Sequence, residues 1–185
     1  MSTNPPVFGV TGWKNSGKTT LTERIIAELT ARGFAVASVK HAHHAFDIDT
    51  PGTDSFRHRA AGARETAIVG GARWALMHEL RGEDEPAMDE VIERLSPCDI
   101  VIIEGYKREA HPKIECRRSD ARKSEPLTLA DANIAAIATD TGKVAQGTNP
   151  NSVPVFQIDG VAAICDFILA YCRLQASGQS AKVGA

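Results

Sequence analysis

Gly12-Trp13-Lys14-Asn15-Ser16-Gly17-Lys18-Thr19-Thr20 is the stretch that decides the fold. As far as Thr19 it satisfies the pattern G-x-x-x-x-G-K-[ST], a loop that cradles phosphates. Glycines let the backbone bend so that several N–H groups face one anion. A helix opening at that point adds the positive end of its dipole. Lys18 supplies a cation for β- and γ-phosphates. Thr19 offers a hydroxyl to Mg²⁺, an ion that keeps several waters and prefers oxygen ligands. Gly12, Lys14, Asn15, Ser16, Gly17, Lys18, Thr19 and Thr20 are therefore candidate nucleotide-binding residues. Trp13 fills a variable position, from which it could pack on the loop or face a partner.

The neighbouring residues supply the context this loop needs. Val7 to Thr11 is a short apolar run and reads as a buried strand. From Lys18 to Arg32, Leu21, Ile25, Ile26 and Leu29 recur at helical spacing, and Gly33 stands where a helix ends. Phe34 to Val39 reads as a second strand, parallel to the first in a βαβ unit. Further on, Ile100 to Ile103 is the most apolar β-branched run and is expected as a central parallel strand buried on both faces. Lys113 to Cys116, Ile134 to Thr139 and Val155 to Ile158 read as further strands. Thr53 or Asp54 to Ala61, Met88 to Leu95 and Val161 to Leu174 read as helices. Strands alternating with helices predict an α/β, three-layer P-loop NTPase fold with a mostly parallel sheet. Thr66 to Val69 and Arg73 to His78, separated by Gly70-Gly71, predict a small β-hairpin extension. Residues 1–174 are expected as a single domain, with 175–185 a disordered tail.

The totals agree with a soluble globular chain. It has 185 residues, 43% of them hydrophobic and 24% charged, with a net charge of −2. No global basic field exists to hold nucleic acid or an anionic membrane. Arg117, Arg118, Arg122 and Lys123 form only a local basic patch. The four cysteines make no C-x-x-C pair, so neither a disulfide framework nor a zinc site is indicated. Cys98 and Cys165 read as small core residues. No charged-then-apolar leader and no membrane-length apolar run are present, so a cytoplasmic location is expected.

Two further stretches carry candidate chemistry. Asp99-Ile-Val-Ile-Ile-Glu104-Gly105-Tyr106-Lys107 places Glu104 at the carboxyl end of the central strand, where ligands of parallel sheets sit. Glu104 is the candidate carboxylate for Mg²⁺ or its water shell, whereas Asp99 lies at the wrong end. Gly105 would let the backbone approach the γ-phosphate. The polar loop Lys40 to Arg59 follows the second strand and could overhang the nucleotide. Asp49 could reach Mg²⁺ or position an attacking water, and Lys40, Arg57 and Arg59 could meet phosphates. His41, His43 and His44 with the aspartates could also form a metal site, although a solvated loop is the commoner explanation of such runs. The candidate catalytic residues are Lys18, Glu104 and Asp49. The candidate metal ligands are Thr19, Glu104 and Asp49.

Taken in order, Gly12-Trp-Lys-Asn-Ser-Gly-Lys-Thr-Thr, Lys40-His-Ala-His-His, Phe46-Asp-Ile-Asp49-Thr-Pro-Gly-Thr-Asp-Ser, Ala60-Ala-Gly-Ala and Ile103-Glu-Gly-Tyr-Lys107 resemble the molybdopterin-guanine dinucleotide biosynthesis protein B (MobB) family. The resemblance implies a GTP-binding protein with weak, Mg²⁺-dependent GTPase activity. It implies a role beside the guanylyltransferase (MobA-like) that joins GMP to molybdopterin, contact with the molybdopterin cofactor itself being open. It also implies a homodimer, for which the hairpin near Thr66 to His78 is the candidate contact. Lys40 and His41 join the nucleotide-binding candidates. No N-K-x-D motif follows a late strand, but Asp140 ends one and could accept from guanine N1 and N2. A small-molecule kinase with a lid at Arg117 to Lys123, and a non-hydrolysing adaptor that delivers nucleotide or cofactor, remain the alternatives.

Overall fold

The computed structural model describes residues 4–42, 46–119 and 125–175. The expectations for His43, His44, Arg122, Lys123 and the tail after Gln175 lie outside the described residues. The chain divides into two compact units, one of Ala42–Val91 and one of the residues before and after it. The smaller unit takes in most of the polar loop together with the helix and hairpin that follow it.

The larger unit holds strands β1 (Val7–Gly12), β2 (Val36–Lys40), β5 (Ile100–Glu104), β6 (Lys113–Arg117), β7 (Ile134–Thr139) and β8 (Val155–Gln157), with helices α1 (Lys18–Ala31) and α4 (Val161–Tyr171). These strands form one sheet in the order β2-β5-β1-β6-β7-β8. Every pairing in it is parallel. Side chains alternate across the sheet. Phe8, Val10, Ile100, Ile102, Ile114, Ala136 and Ala138 pack with Leu21, Ile25 and Leu29 of α1 and Ile164, Cys165 and Ile168 of α4. The alternate positions Val101, Ile103 and Ile137 are buried as well. Burial on both faces explains the unbroken β-branched run of β5, and each such isoleucine contributes about 1.5–3 kcal/mol. Cys165 is a core residue as expected, but Cys98 is only half-buried and Cys116 takes a core place instead.

Helix α1 ends as its sequence predicts. Gly33 has φ 91°. Its N–H donates to Thr30 O at 3.0 Å, and Phe34 N–H to Leu29 O at 3.1 Å. This doubled bond is the Schellman closure, and the left-handed residue within it favours glycine.

The smaller unit contains α2 (Asp54–Ala60) and the antiparallel pair β3 (Glu65–Val69) and β4 (Trp74–His78). Helix α3 (Met88–Glu93) follows in the chain. Thr53 caps α2 by accepting from Phe56 N–H, an interaction worth about 1 kcal/mol. In the hairpin Thr66 and Met77 point to a buried side, whereas Val69, Trp74 and Leu76 share the other face and are exposed.

Polar groups are buried near the amino end of β6. Lys113 is fully buried, donates to Glu109 O at 2.5 Å and pairs with Asp131 at 2.8 Å. His111 is buried against Gly9, where an added Cβ would lie 2.5 Å from Nε2. Burial, then the Lys113 charge, pushes the His111 pKa down from 6.5 to about 4, against the opposing pull of Asp131. A histidine held neutral in the fold binds fewer protons there than in the unfolded chain. Its contribution is therefore present above about pH 6.5 and lost as pH falls towards about 4. We expect His111→Gln to flatten the loss of stability across that window, as read by urea-unfolding midpoints at successive pH values. Equal slopes for the two proteins would contradict this.

Candidate functional site

Strand β1 lies between β5 and β6, and the connection after β1 leads to one side of it, towards β2, whereas the one after β5 leads to the other, to β6. Parallel sheets open a crevice at such a point. Here β1 passes into residues 12–17 and then α1. Gly12 has φ 146°, Asn15 φ 65° and Gly17 φ 90°. A Cβ on Gly12 would stand 2.5 Å from Ser16 Oγ and 2.7 Å from the Cys116 carbonyl oxygen, and one on Gly17 would stand 2.9 Å from Arg118 Nε. The bend therefore requires glycine twice. Helix α1 opens at Gly17 with no side-chain cap and no acidic residue in its first turn. Its leading N–H groups and dipole are thus left for an anion.

Side chains converge on this bend. Lys18 Nζ donates to Trp13 O at 2.7 Å. Thr19 Oγ1 donates to Glu104 Oε1 at 2.8 Å, across 85 residues of sequence. Lys40 Nζ stands 3.6 Å from the same carboxylate oxygen. Burial lowers the Lys18 pKa, helped by the charges of Lys107 and Lys40 and opposed by Glu104. Ser16 Oγ is buried with no hydrogen-bond partner among the described residues. Lys14, Asn15 and Thr20 are exposed on the loop and first turn. Trp13 Nε1 donates to Glu125 O at 2.8 Å.

At the end of β5 the chain turns sharply, with Gly105 at φ 104° and Tyr106 at φ 41°. A Cβ on Gly105 would lie 3.1 Å from His41 Cβ. The His41 ring stacks on Tyr106 at 4.4 Å, and its N–H continues the ladder to Glu104 O at 2.9 Å. Lys40, His41, Glu104 and Gly105 are thus brought together with the loop.

Other candidates are engaged elsewhere. Asp140, at the end of β7, accepts from Ser119 N–H at 2.9 Å and from Ser119 Oγ at 2.7 Å. Those bonds hold its carboxyl below the usual range. Asp49 belongs to the smaller unit, where its Oδ1 accepts from Thr53 at 2.9 Å and Ser55 at 3.0 Å. These bonds make it part of the turn that starts α2. Arg59 pairs with Asp47 at 2.7 Å and Glu79 at 2.9 Å, so its charge is matched within that unit. Arg57 stands 3.7 Å from Asp54. Arg117 reaches back to Glu115 at 2.7 Å and to Thr148 O at 3.1 Å, which fixes it as part of a buried network. Among the described residues, no group of three or more His, Cys, Asp or Glu side chains is placed to hold a metal ion.

Sequence reasoning assigned no role to Lys107. Lys107 stands with its ammonium 4.4 Å above the Trp13 ring. Its place two residues after Gly105, at the end of the strand beside the loop, was the available signal.

Comparison with known proteins agrees with this geometry. The profile of the family described as molybdopterin guanine dinucleotide synthesis protein B matches residues 7–140. The molybdopterin-guanine dinucleotide biosynthesis adapter protein of Escherichia coli K12 is 33% identical over 172 residues, 92% of this chain and 95% of that protein. The protein of the same name from Haemophilus influenzae is 34% identical over 170 residues, 91% of this chain and 90% of that one. The crystal structure of Bacillus subtilis MobB superimposes with a TM-score of 0.70 at 28% identity, covering 94% of this chain and 99% of that one. A MobB homologue from Bacillus stearothermophilus gives 0.65 at 28% identity, over 90% of this chain and 97% of that one. This chain belongs to the molybdopterin-guanine dinucleotide biosynthesis protein B family.

Proposed function

We propose that this protein binds GTP with Mg²⁺ and serves molybdenum cofactor biosynthesis as an accessory to the enzyme that attaches GMP to molybdopterin. The bond from Thr19 to Glu104 carries the reading. It sets a hydroxyl and a carboxylate side by side at the mouth of a phosphate loop, and a small hard cation takes such oxygens together with phosphate and water. The rest of the loop fits the ligand. Its two required glycines clear the way for backbone N–H groups, and the orphaned Ser16 hydroxyl is a further donor.

In this reading Lys18 and Lys40 meet the phosphates, and Thr19 and Glu104 hold the metal. Gly105 lets the main chain come close to the terminal phosphate, and the His41–Tyr106 stack braces that approach. Mg²⁺ held by Thr19 and Glu104 would supply positive charge that offsets the phosphates. Hydrolysis is expected to be slow.

The relatives carry the word adapter in their names, which favours the delivery reading over the kinase reading. Arg117 supports the same choice, because a lid needs a mobile cation and this one is tied to Glu115 and Thr148. A homodimer is supported by the hairpin. It exposes Val69, Trp74 and Leu76 on one face, and contiguous apolar surface of this kind marks an interface.

Lys18→Ala is expected to weaken Mg·GTP binding by tenfold or more, the cost of a lost charge-assisted bond. Calorimetric titration of GTP, GDP and ATP checks this. A variant that binds GTP as tightly as the unaltered protein would exclude the loop as the site. Asp140→Ala should reduce the preference for GTP over ATP if its carboxylate reads the base, and an unchanged preference would leave Ser119 as its only role. For the hairpin, Leu76→Glu should shift the sedimentation coefficient from dimer towards monomer while the circular dichroism spectrum stays the same.

A further inference from the structure

We propose that Lys107 is a third phosphate-binding cation, held on the face of Trp13 until a triphosphate draws it to the terminal phosphate. This rests on the nucleotide-binding reading above.

The backbone aims Lys107 at the loop. After β5, Gly105 and Tyr106 adopt left-handed conformations in succession, at φ 104° and 41°. For a tyrosine this is a costly conformation, kept only where the surroundings enforce it. The stack of Tyr106 on His41 is one such restraint. The turn folds the chain back so that Lys107 Nζ stands 4.4 Å over the Trp13 ring. Trp13 is itself held at both ends, its indole N–H on Glu125 O and its carbonyl accepting from Lys18. Lys18 and Lys107 therefore approach the same loop residue, one at the carbonyl and the other at the ring.

Charge leads to the same conclusion. Lys40 stands 3.6 Å from Glu104 Oε1, which also accepts from the Thr19 hydroxyl, and Lys18 feels the charges of Lys107, Lys40 and Glu104 together. Burial lowers the Lys107 pKa, and its charge depresses that of Lys18. Like charges are crowded in this way where an anion of several charges is to be met. A ring face is a weaker partner than a phosphate oxygen. Lysine carries its ammonium on a flexible four-carbon stem, which allows the change of partner without movement of the backbone. The competing explanation makes Lys107 a clamp that only stiffens Trp13. A clamp would support diphosphate and triphosphate alike.

The test compares GTP and GDP, each with Mg²⁺, on the full-length protein. Calorimetry on Lys107→Ala should show GTP affinity reduced about tenfold and GDP affinity changed less than about twofold. Lys107→Arg should retain most of the GTP affinity. A second readout uses Trp74→Phe, which leaves Trp13 as the remaining tryptophan. Its emission should change more with GTP than with GDP as the ammonium leaves the ring, and adding Lys107→Ala should remove that difference. Equal losses for the two nucleotides, or equal emission changes, overturn the inference and leave the nucleotide reading intact. Failure of the unaltered protein to bind either nucleotide overturns both.

Discussion

Strand β1 is hydrogen-bonded on both sides, to β5 and to β6, and so cannot leave the sheet gradually. Its exit must be a tight bend at the carboxyl end, between two neighbours that hold it to the last residue. Gly12 makes that bend where Cys116 of β6 leaves no room for a side chain. Gly17 makes the second turn, into α1. Everything chemical in the larger unit follows from this confinement. The loop is narrow because the sheet is continuous, and its N–H groups converge because the loop is narrow. Helix α1 must begin at the crevice, because no residue is left over to carry it elsewhere.

The same confinement gives Glu104 its position. β5 pairs with β1 from Val7↔Val101 to Val10↔Glu104, and with β2 from Val36↔Ile100 to Lys40↔Glu104. A single register therefore delivers Glu104, Lys40 and the loop to one end of the sheet. A carboxylate at that place is held by Thr19 on one side and Lys40 on the other, and is not left as an unpaired charge at the edge of a core. Shifting β5 by one residue would move the Glu104 side chain to the other face of the sheet and out of its pairing with Lys40 and Thr19. The apolar run of β5 thus sets the geometry of the polar residue that ends it.

Most of the larger unit was legible because its signals are local. The loop pattern, the apolar periodicity of α1, Gly33 at its end and the β-branched run of β5 each speak of their own few residues. Burial on both faces made the central strand readable without knowledge of its neighbours. What escaped the sequence was pairing at a distance. That Arg117 would reach Thr148, or Asp140 Ser119, depends on where separate loops meet. Spacing does not encode such meetings. Asp49 was read as a possible metal ligand on the strength of its polar loop; the contacts of its Oδ1 with the hydroxyls of Thr53 and Ser55, four and six residues on, were not foreseen. An acid placed before a helix start competes for local hydroxyls and N–H groups first.

Lys107 belongs to the same class of hidden contact, and the chemistry of its two partners explains why it matters. An ammonium over an indole is held by a quadrupole, which is short-ranged and attracts only over the ring face. The same ammonium near a phosphate is held by full charge, which a partly buried site strengthens. A site built with three lysines and one carboxylate is therefore balanced by a magnesium-bound triphosphate, which retains negative charge after the metal is counted, better than by a diphosphate that lacks the last group. Trp13 keeps one of those cations close without neutralising it, as a carboxylate would. If Lys107 moves as proposed, the variable position of the phosphate loop is the residue through which diphosphate and triphosphate would be told apart.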